Sequence, residues 1–301
     1  MLLETVSICL RVLRALPESD EVRSKTLIFL QRMILCLGPQ VLPSMPPFLD
    51  LLITHCTNQD VLDVSHLLNQ LCSKFKGQAI DAVDPAVSPF LRKCYSLMPT
   101  FDEVVDQGDI PPHLLTEQLS IKKISYAFLQ YVATYQVTPV LLSSNNISSL
   151  EQVLQYMSEG ALNVQEPILK KTCIMFFREL VDQWAADGSM PNEQVAVQRG
   201  FNQFIGDTIV PGLIKSILDP SFNEKDAMQA RSVTQVAKLL SVLREKRGET
   251  EYAQIFIGNV ILRLQCSGEI IGQFRAAQDG KAIEKALRAM LTALKQAPER
   301  P

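Results

Sequence analysis

Residues 22–39 read VRSKTLIFLQRMILCLGP, and this stretch decides the fold class of the chain. Its apolar residues recur at the three- and four-residue spacing of an α-helix, at Val22, Leu27, Ile28, Leu30, Ile34, Leu35 and Leu37. The pattern ends at Gly38 and Pro39, a glycine of the kind that follows a last helical turn and a residue that cannot continue a helix. The spacing therefore predicts a helix over residues 22–37.

Helices of this kind recur in pairs along the chain. Prolines stand early in several first helices, as at Pro47, Pro89 and Pro211, where the missing N–H would lack an intrahelical partner anyway. The second helices begin at intervals of roughly 40 to 60 residues, close to the period of HEAT-type repeats with insertions. We predict an all-α fold, a HEAT/armadillo-like α-solenoid of about six stacked helix pairs that forms one segment over residues 1–301.

The composition bounds the function. Of the 301 residues, 47% are apolar and 20% are charged, which is enough to bury a large core and excludes a disordered chain. The net charge of -3 excludes a uniformly basic nucleic-acid coat, so that any polyanion must bind to a local patch. Residues 160–301 hold 18 Lys+Arg against 16 Asp+Glu, and we expect such a patch there. The acidic residues 101–110 are interpreted as a solvated loop.

The cysteines and the lack of a recognisable signal peptide indicate the compartment in which the chain folds. The seven cysteines are odd in number and include no Cys-x-x-Cys pair, and each stands in an apolar stretch. We expect free, buried thiols in a reducing compartment. We recognise neither a signal peptide nor an apolar run long enough to cross a bilayer, and we expect no membrane insertion.

Motifs for catalysis are lacking in the sequence. The three histidines, His55, His66 and His113, are not spaced with cysteines as zinc ligands are. Neither a metalloprotease, a nucleophile-elbow nor a phosphate-loop motif occurs. We therefore expect a protein that is not an enzyme, with no catalytic residue, no metal and no cofactor.

Basic residues on predicted helices are the remaining candidates, because lysine and arginine can hold RNA phosphates without reading bases. The RNA-binding candidates are Lys170, Lys171, Arg178, Lys122, Lys123, Arg244, Lys246 and Arg247. For Lys170, Lys171 and Arg178 we expect exposed positions on one helix, with two of them two turns apart. The alternative is a solvated helix face, or, for the last three residues, cations that complement a helix dipole. The aromatic residues after Lys123 are interpreted as core.

A family resemblance is carried by residues 40–49, QVLPSMPPFL, and residues 60–71, DVLDVSHLLNQL, with residues 71–76 as their continuation. These segments resemble the exportin-T family, the tRNA export receptors of the importin-β superfamily. The resemblance implies a HEAT solenoid that binds tRNA together with GTP-bound Ran in the nucleus, passes the nucleoporins of the nuclear pore, and releases both in the cytoplasm.

The likeness corresponds to the carboxy-terminal portion of the family. We therefore expect Ran-GTP to bind weakly or not at all without the amino-terminal repeats. The first predicted helix, residues 2–16, is apolar almost all round, as expected for a piece of a longer solenoid; the alternative is that Met1 is a true start and a partner buries this helix. The alternative function is a HEAT scaffold that binds protein cargo and has no RNA role.

Overall fold

The computed structural model describes residues 2–98, 112–264 and 266–296, and no strand occurs in these ranges. The all-α prediction is confirmed; the acidic residues 101–110 lie outside the described residues. The α-helices are α1 (Leu2–Ala15), α2 (Asp20–Leu37), α3 (Met45–Thr54), α4 (Val61–Phe75), α5 (Ile80–Leu97), α6 (Pro112–Thr134), α7 (Leu150–Leu162), α8 (Pro167–Trp184), α9 (Val195–Phe204), α10 (Val210–Leu218), α11 (Ala227–Tyr252), α12 (Gly268–Ala276) and α13 (Gly280–Gln296).

The helices group in two compact units. Unit 1 comprises Met1–Leu154 and unit 2 comprises Gln155–Pro301. The expectation of one continuous solenoid segment stays a prediction.

Unit 1 is built on neighbouring helices that bury one apolar face each. Helix α2 packs on α4, α3 on α5, and α4 on α6. Phe90 of α5 and Phe128 of α6 meet edge to face with ring centroids 5.1 Å apart, and both are fully buried. The first aromatic residues of α6, Tyr126 and Phe128, thus belong to the core, as the sequence indicates.

Two prolines lie inside α5 rather than at its start. The apolar spacing over residues 85–98 predicts a helix that begins at Pro85, but α5 begins at Ile80 and includes both Pro85 and Pro89. A proline inside a helix removes a hydrogen bond and clashes with the preceding turn. Burial of residues around them, among them Val83, Val87 and Phe90, offsets that cost.

The segment Asp20–Thr54 is long and apolar enough to cross a membrane by length and composition, so our expectation that no such run exists is wrong. The 3-10 turn Gly38–Ser44 divides this segment into α2 and α3. Leu30, Ile34 and Phe48 within it are fully buried in unit 1, as in the core of a helical protein. The absence of membrane insertion stays a prediction.

Unit 2 is organised around α11. Helix α8 lies along one side of α11 and α13 along another. Side-chain contacts show the directions: Arg178 meets Gln235 and Lys246 meets Asp182, so α8 and α11 run parallel. Thr234 Oγ1 donates to Glu284 Oε1 at 3.0 Å, while Arg244 reaches the carbonyl of Ala277, so α13 runs antiparallel to α11.

The cysteines are free, as predicted. Cys56, Cys72, Cys94 and Cys173 are buried, and Cys9 and Cys266 are partly so. Cys36 is exposed, because it falls in the last turn of α2 on the side away from the core. The expectation of burial is therefore wrong for this residue.

Candidate nucleic-acid interface

The three candidates on α8 are less accessible than the sequence suggests. Lys170, Lys171 and Arg178 are all half-buried, so the expectation that they are exposed is wrong. The cause is α11, which packs beside the face of α8 that carries them. Arg178 forms an ion pair with Glu179, and its Nη1 donates to Gln235 Oε1 at 3.3 Å. Its charge is thus compensated within unit 2.

The candidates at the end of α11 tie helices together. Lys246 Nζ lies 2.9 Å from Asp182 Oδ1 on α8. Arg247 donates to the Ala185 carbonyl at 2.8 Å and contacts Asp187 and Glu251, both at 2.6 Å.

Arg244 belongs to the same set of contacts. Its Nε lies 2.6 Å from Glu249 Oε2, its guanidinium stacks over Tyr252 at 5.4 Å, and it reaches the Ala277 carbonyl. Complementing the helix dipole is therefore not the whole role of Arg244, Lys246 and Arg247. Each of these cations also joins α11 to a neighbouring segment.

The candidates in unit 1 differ from each other. Lys122 of α6 is half-buried and already engaged in an interaction, whereas Lys123 is exposed. Lys123 has no ion pair among the described residues.

Among the exposed cations of unit 2 that lie outside the predicted RNA-binding candidates, four stand on the packed helices α11 and α13: Arg231, Lys238, Lys281 and Lys285. We call this set the α11–α13 cationic face. Within the described ranges none of the four has a carboxylate partner. Most of the predicted candidates are adjacent in sequence, whereas these residues are spaced by seven on α11 and by four on α13, which puts each pair on one helical face.

Contacts between the two helices bring these cations together. The Cβ position of Gly280, the first residue of α13, lies 3.9 Å from the Lys238 backbone. Because Lys281 follows Gly280 directly, its backbone lies close to Lys238 as well. One turn further along, Thr234 of α11 bonds to Glu284, the neighbour of Lys285. Arg231 lies beyond Thr234 on the same side of α11. The face therefore follows the line of contact between two packed helices.

This arrangement suits a phosphate chain better than a small molecule. Exposed lysine and arginine side chains act as point charges that track a polyanion, and each neutralised phosphate releases counterions. Packing on the core fixes the helices, so the spacing of the charges is preset. Where the chain is described, no cluster of three or more His, Cys, Asp or Glu side chains could hold a metal ion.

Comparison with known proteins agrees with the all-α fold. A sequence model of the Exportin-T family matches residues 1–297. Exportin-T of Mus musculus is 29% identical over 258 residues, which is 85% of this chain and 25% of that protein. Exportin-T of Oryza sativa subsp. japonica is 27% identical over 288 residues, or 94% of this chain and 28% of that protein.

A third relative, Exportin-T of Arabidopsis thaliana, is 26% identical over 251 residues, which is 83% of this chain and 25% of the relative. The chain thus spans about a quarter of the length of the curated relatives that it matches. Because the family match runs through both units and nearly the whole chain, this protein belongs to the Exportin-T family.

Proposed function

We propose that this chain is the tRNA-binding segment of a nuclear export receptor that carries tRNA from the nucleus to the cytoplasm together with GTP-bound Ran. The observation that carries the proposal is the family match over residues 1–297. The receptor shuttles through the nuclear pore by way of nucleoporins. It acts as a transport receptor rather than an enzyme.

The α11–α13 cationic face supplies the main RNA contact in this proposal. Its four side chains are exposed and unpaired within the described part of the chain. Lys123, Lys170 and Lys171 are proposed as further contacts, because no carboxylate within the described ranges pairs with them. Lys122, Arg178, Arg244, Lys246 and Arg247 are engaged within the protein and are proposed only as secondary contacts.

The test is a pulldown from nuclear extract with the 301-residue chain, with and without GTP-loaded Ran, followed by RNA sequencing. We expect mature tRNA to be enriched over other RNA of similar length. Because the principal Ran contact is expected elsewhere in the receptor, added Ran should change the enrichment little. A protein scaffold without an RNA role predicts that no RNA class is enriched, and that result would contradict the proposal.

A further inference from the structure

A small polar cavity in unit 2 lies where the N-terminal turns of α8 and α11 approach the end of α10. Its volume is about 50 Å³. Since one water needs roughly 10–15 Å³ by this measure, the cavity holds several water-sized atoms, which matches the oxygens of one phosphate group. Gln165, Asp219 and Ser221 line it and are exposed, so the cavity opens to the surface.

The lining of the cavity is rich in donors that lack acceptors. Ser232 is only 1% exposed, and its hydroxyl has no hydrogen-bond partner. Lys170 is half-buried and has no ion pair among the described residues. Gln229 accepts from the Asn223 N–H at 2.8 Å through its oxygen, which leaves its amide nitrogen as a donor.

The remaining hydroxyls of the lining are already committed. Ser216 Oγ donates to the Leu213 carbonyl at 2.8 Å, and Ser221 Oγ donates to Asp219 Oδ1 at 2.6 Å. Asp219 is the one acidic lining residue within the described ranges; it is exposed, and two hydrogen bonds from Ser221 already engage its carboxylate. Three groups of the lining therefore remain available to a ligand: the ammonium of Lys170 and two neutral donors, the Ser232 hydroxyl and the Gln229 amide nitrogen.

The available groups of the cavity, above all the Lys170 ammonium, favour an anion over a water molecule as the ligand. A water would satisfy the Ser232 hydroxyl but would bring no charge to the ammonium of Lys170. Burial lowers the pKa of Lys170, and the nearby Asp219 only partly offsets that effect. A half-buried ammonium without an ion pair gains from a negatively charged acceptor, and lysine is a common point-charge ligand of phosphate.

We propose that this cavity binds one phosphate group of the RNA, held by Lys170 and Ser232. The inference rests on the proposed function, and it deepens that function by assigning a buried phosphate anchor beside the open cationic face. An inserted phosphate would fix the RNA at one point of unit 2, whereas exposed cations alone allow it to slide.

The test uses the 301-residue chain and two probes, inorganic phosphate in calorimetric titrations and tRNA in anisotropy titrations at several salt concentrations. Lys170→Met removes the charge, and Ser232→Val removes the hydroxyl and fills space. Ser232→Ala replaces the latter if the valine variant does not fold. The matched control is Lys225→Met, which removes one charge from an exposed lysine that does not line the cavity.

We expect wild type and Lys225→Met to bind inorganic phosphate saturably, and the cavity variants to bind it at least about tenfold more weakly. Affinity for tRNA should fall about tenfold in the cavity variants. The log–log salt slope should fall by roughly 0.7 to 0.9, the value of one lost phosphate contact.

The outcomes separate the two proposals. Absence of phosphate binding by wild type, or equal binding by all variants, overturns the cavity assignment. Loss of phosphate binding with unchanged tRNA affinity overturns the RNA as the source of the phosphate. If wild type binds tRNA and every variant binds it equally, only the inference fails; if wild type binds no tRNA, the proposed function fails and the RNA anchor with it.

Discussion

Among single residues, Arg23 and Asp60 form the most buried ion pair that the structure describes in unit 1. The Arg23 side chain is 1% exposed, and its Nε donates to Asp60 Oδ2 at 2.8 Å. Asp60 also accepts from the N–H and the hydroxyl of Thr57, at 3.1 and 2.9 Å. The pair therefore links two segments of unit 1, the first turn of α2 and the turn that precedes α4.

Replacement of Asp60 by alanine should strongly destabilise the protein. It would leave the Arg23 guanidinium buried without its main counter-charge, a change that costs about 3–5 kcal/mol in comparable cases. Asp63→Ala is the control, because that residue lies on the exposed side of α4, the helix that follows Asp60, and should change stability by less than about 0.5 kcal/mol. Urea denaturation measures both. Equal effects of the two substitutions would contradict the role given to the buried pair.

Between elements, close packing in unit 2 depends on a glycine. Gly212 lies in the first turn of α10, and a Cβ at this position would come within 2.8 Å of Leu162 Cδ1 at the end of α7. Gly200 on α9 has open space around the same position. The two glycines thus occupy helices for different reasons: one permits a close approach, and the other has no packing role.

Gly212→Ala should destabilise the protein by about 1 kcal/mol, since the added methyl overpacks the contact with Leu162. Gly200→Ala should have the opposite sign and stabilise by about 0.5–1 kcal/mol, because alanine restricts the unfolded chain and fits a helix. Chemical denaturation gives both values. The added cost in Gly212→Ala should disappear in the double variant with Leu162→Ala, and a strictly additive double variant would exclude the clash as its cause.

Helical periodicity was sufficient to predict most elements but not their contacts. The apolar spacing over residues 61–75 predicts a helix there, and α4 has the same bounds, Val61–Phe75, because its apolar stripe is regular and Lys76 ends it with a left-handed φ. The start of α5 was missed because tertiary burial overrides two prolines. The cavity at Lys170 could not be predicted, since its lining comes from α8, α10 and α11, which are far apart in sequence.

For the whole molecule, the acidic total conceals how charge is distributed. The net charge is -3, yet the four residues of the α11–α13 cationic face are free of carboxylate partners in the described ranges. The basic pairs that stand out in the sequence are largely neutralised: Arg178, Lys246 and Arg247 each contact an acidic residue. Adjacency of basic residues in the sequence therefore does not predict which cations are exposed and lack a carboxylate partner.

The stability of the whole chain should fall as pH rises above about 8.5, the ordinary pKa of a thiol in an unfolded chain. Burial raises the pKa of Cys56, Cys72 and Cys94 to about 12. Between these values the unfolded chain has released thiol protons that the folded chain retains, so rising pH favours unfolding. The contribution is complete below about 8.5 and is lost progressively up to about 12.

The variant Cys72→Ala isolates one of these thiols. Its free energy of unfolding should decline less steeply with pH than that of wild type, by up to about 1.4 kcal/mol per pH unit. Denaturant titrations between neutral pH and mildly alkaline pH give the two slopes. Parallel slopes would show that the Cys72 thiol ionises equally in both states.

The most direct test of the account is the salt dependence of tRNA binding after charge reversal of the α11–α13 cationic face. The variant replaces Arg231, Lys238, Lys281 and Lys285 by glutamate; its control makes the same replacement at four exposed cations of unit 1, Arg11, Arg14, Lys25 and Arg32. We expect the log–log salt slope to drop by roughly 0.7 to 0.9 per lost phosphate contact in the variant, with much weaker binding. The control should keep the wild-type slope. Equal slopes and affinities in variant and control would contradict the assignment of RNA binding to this face.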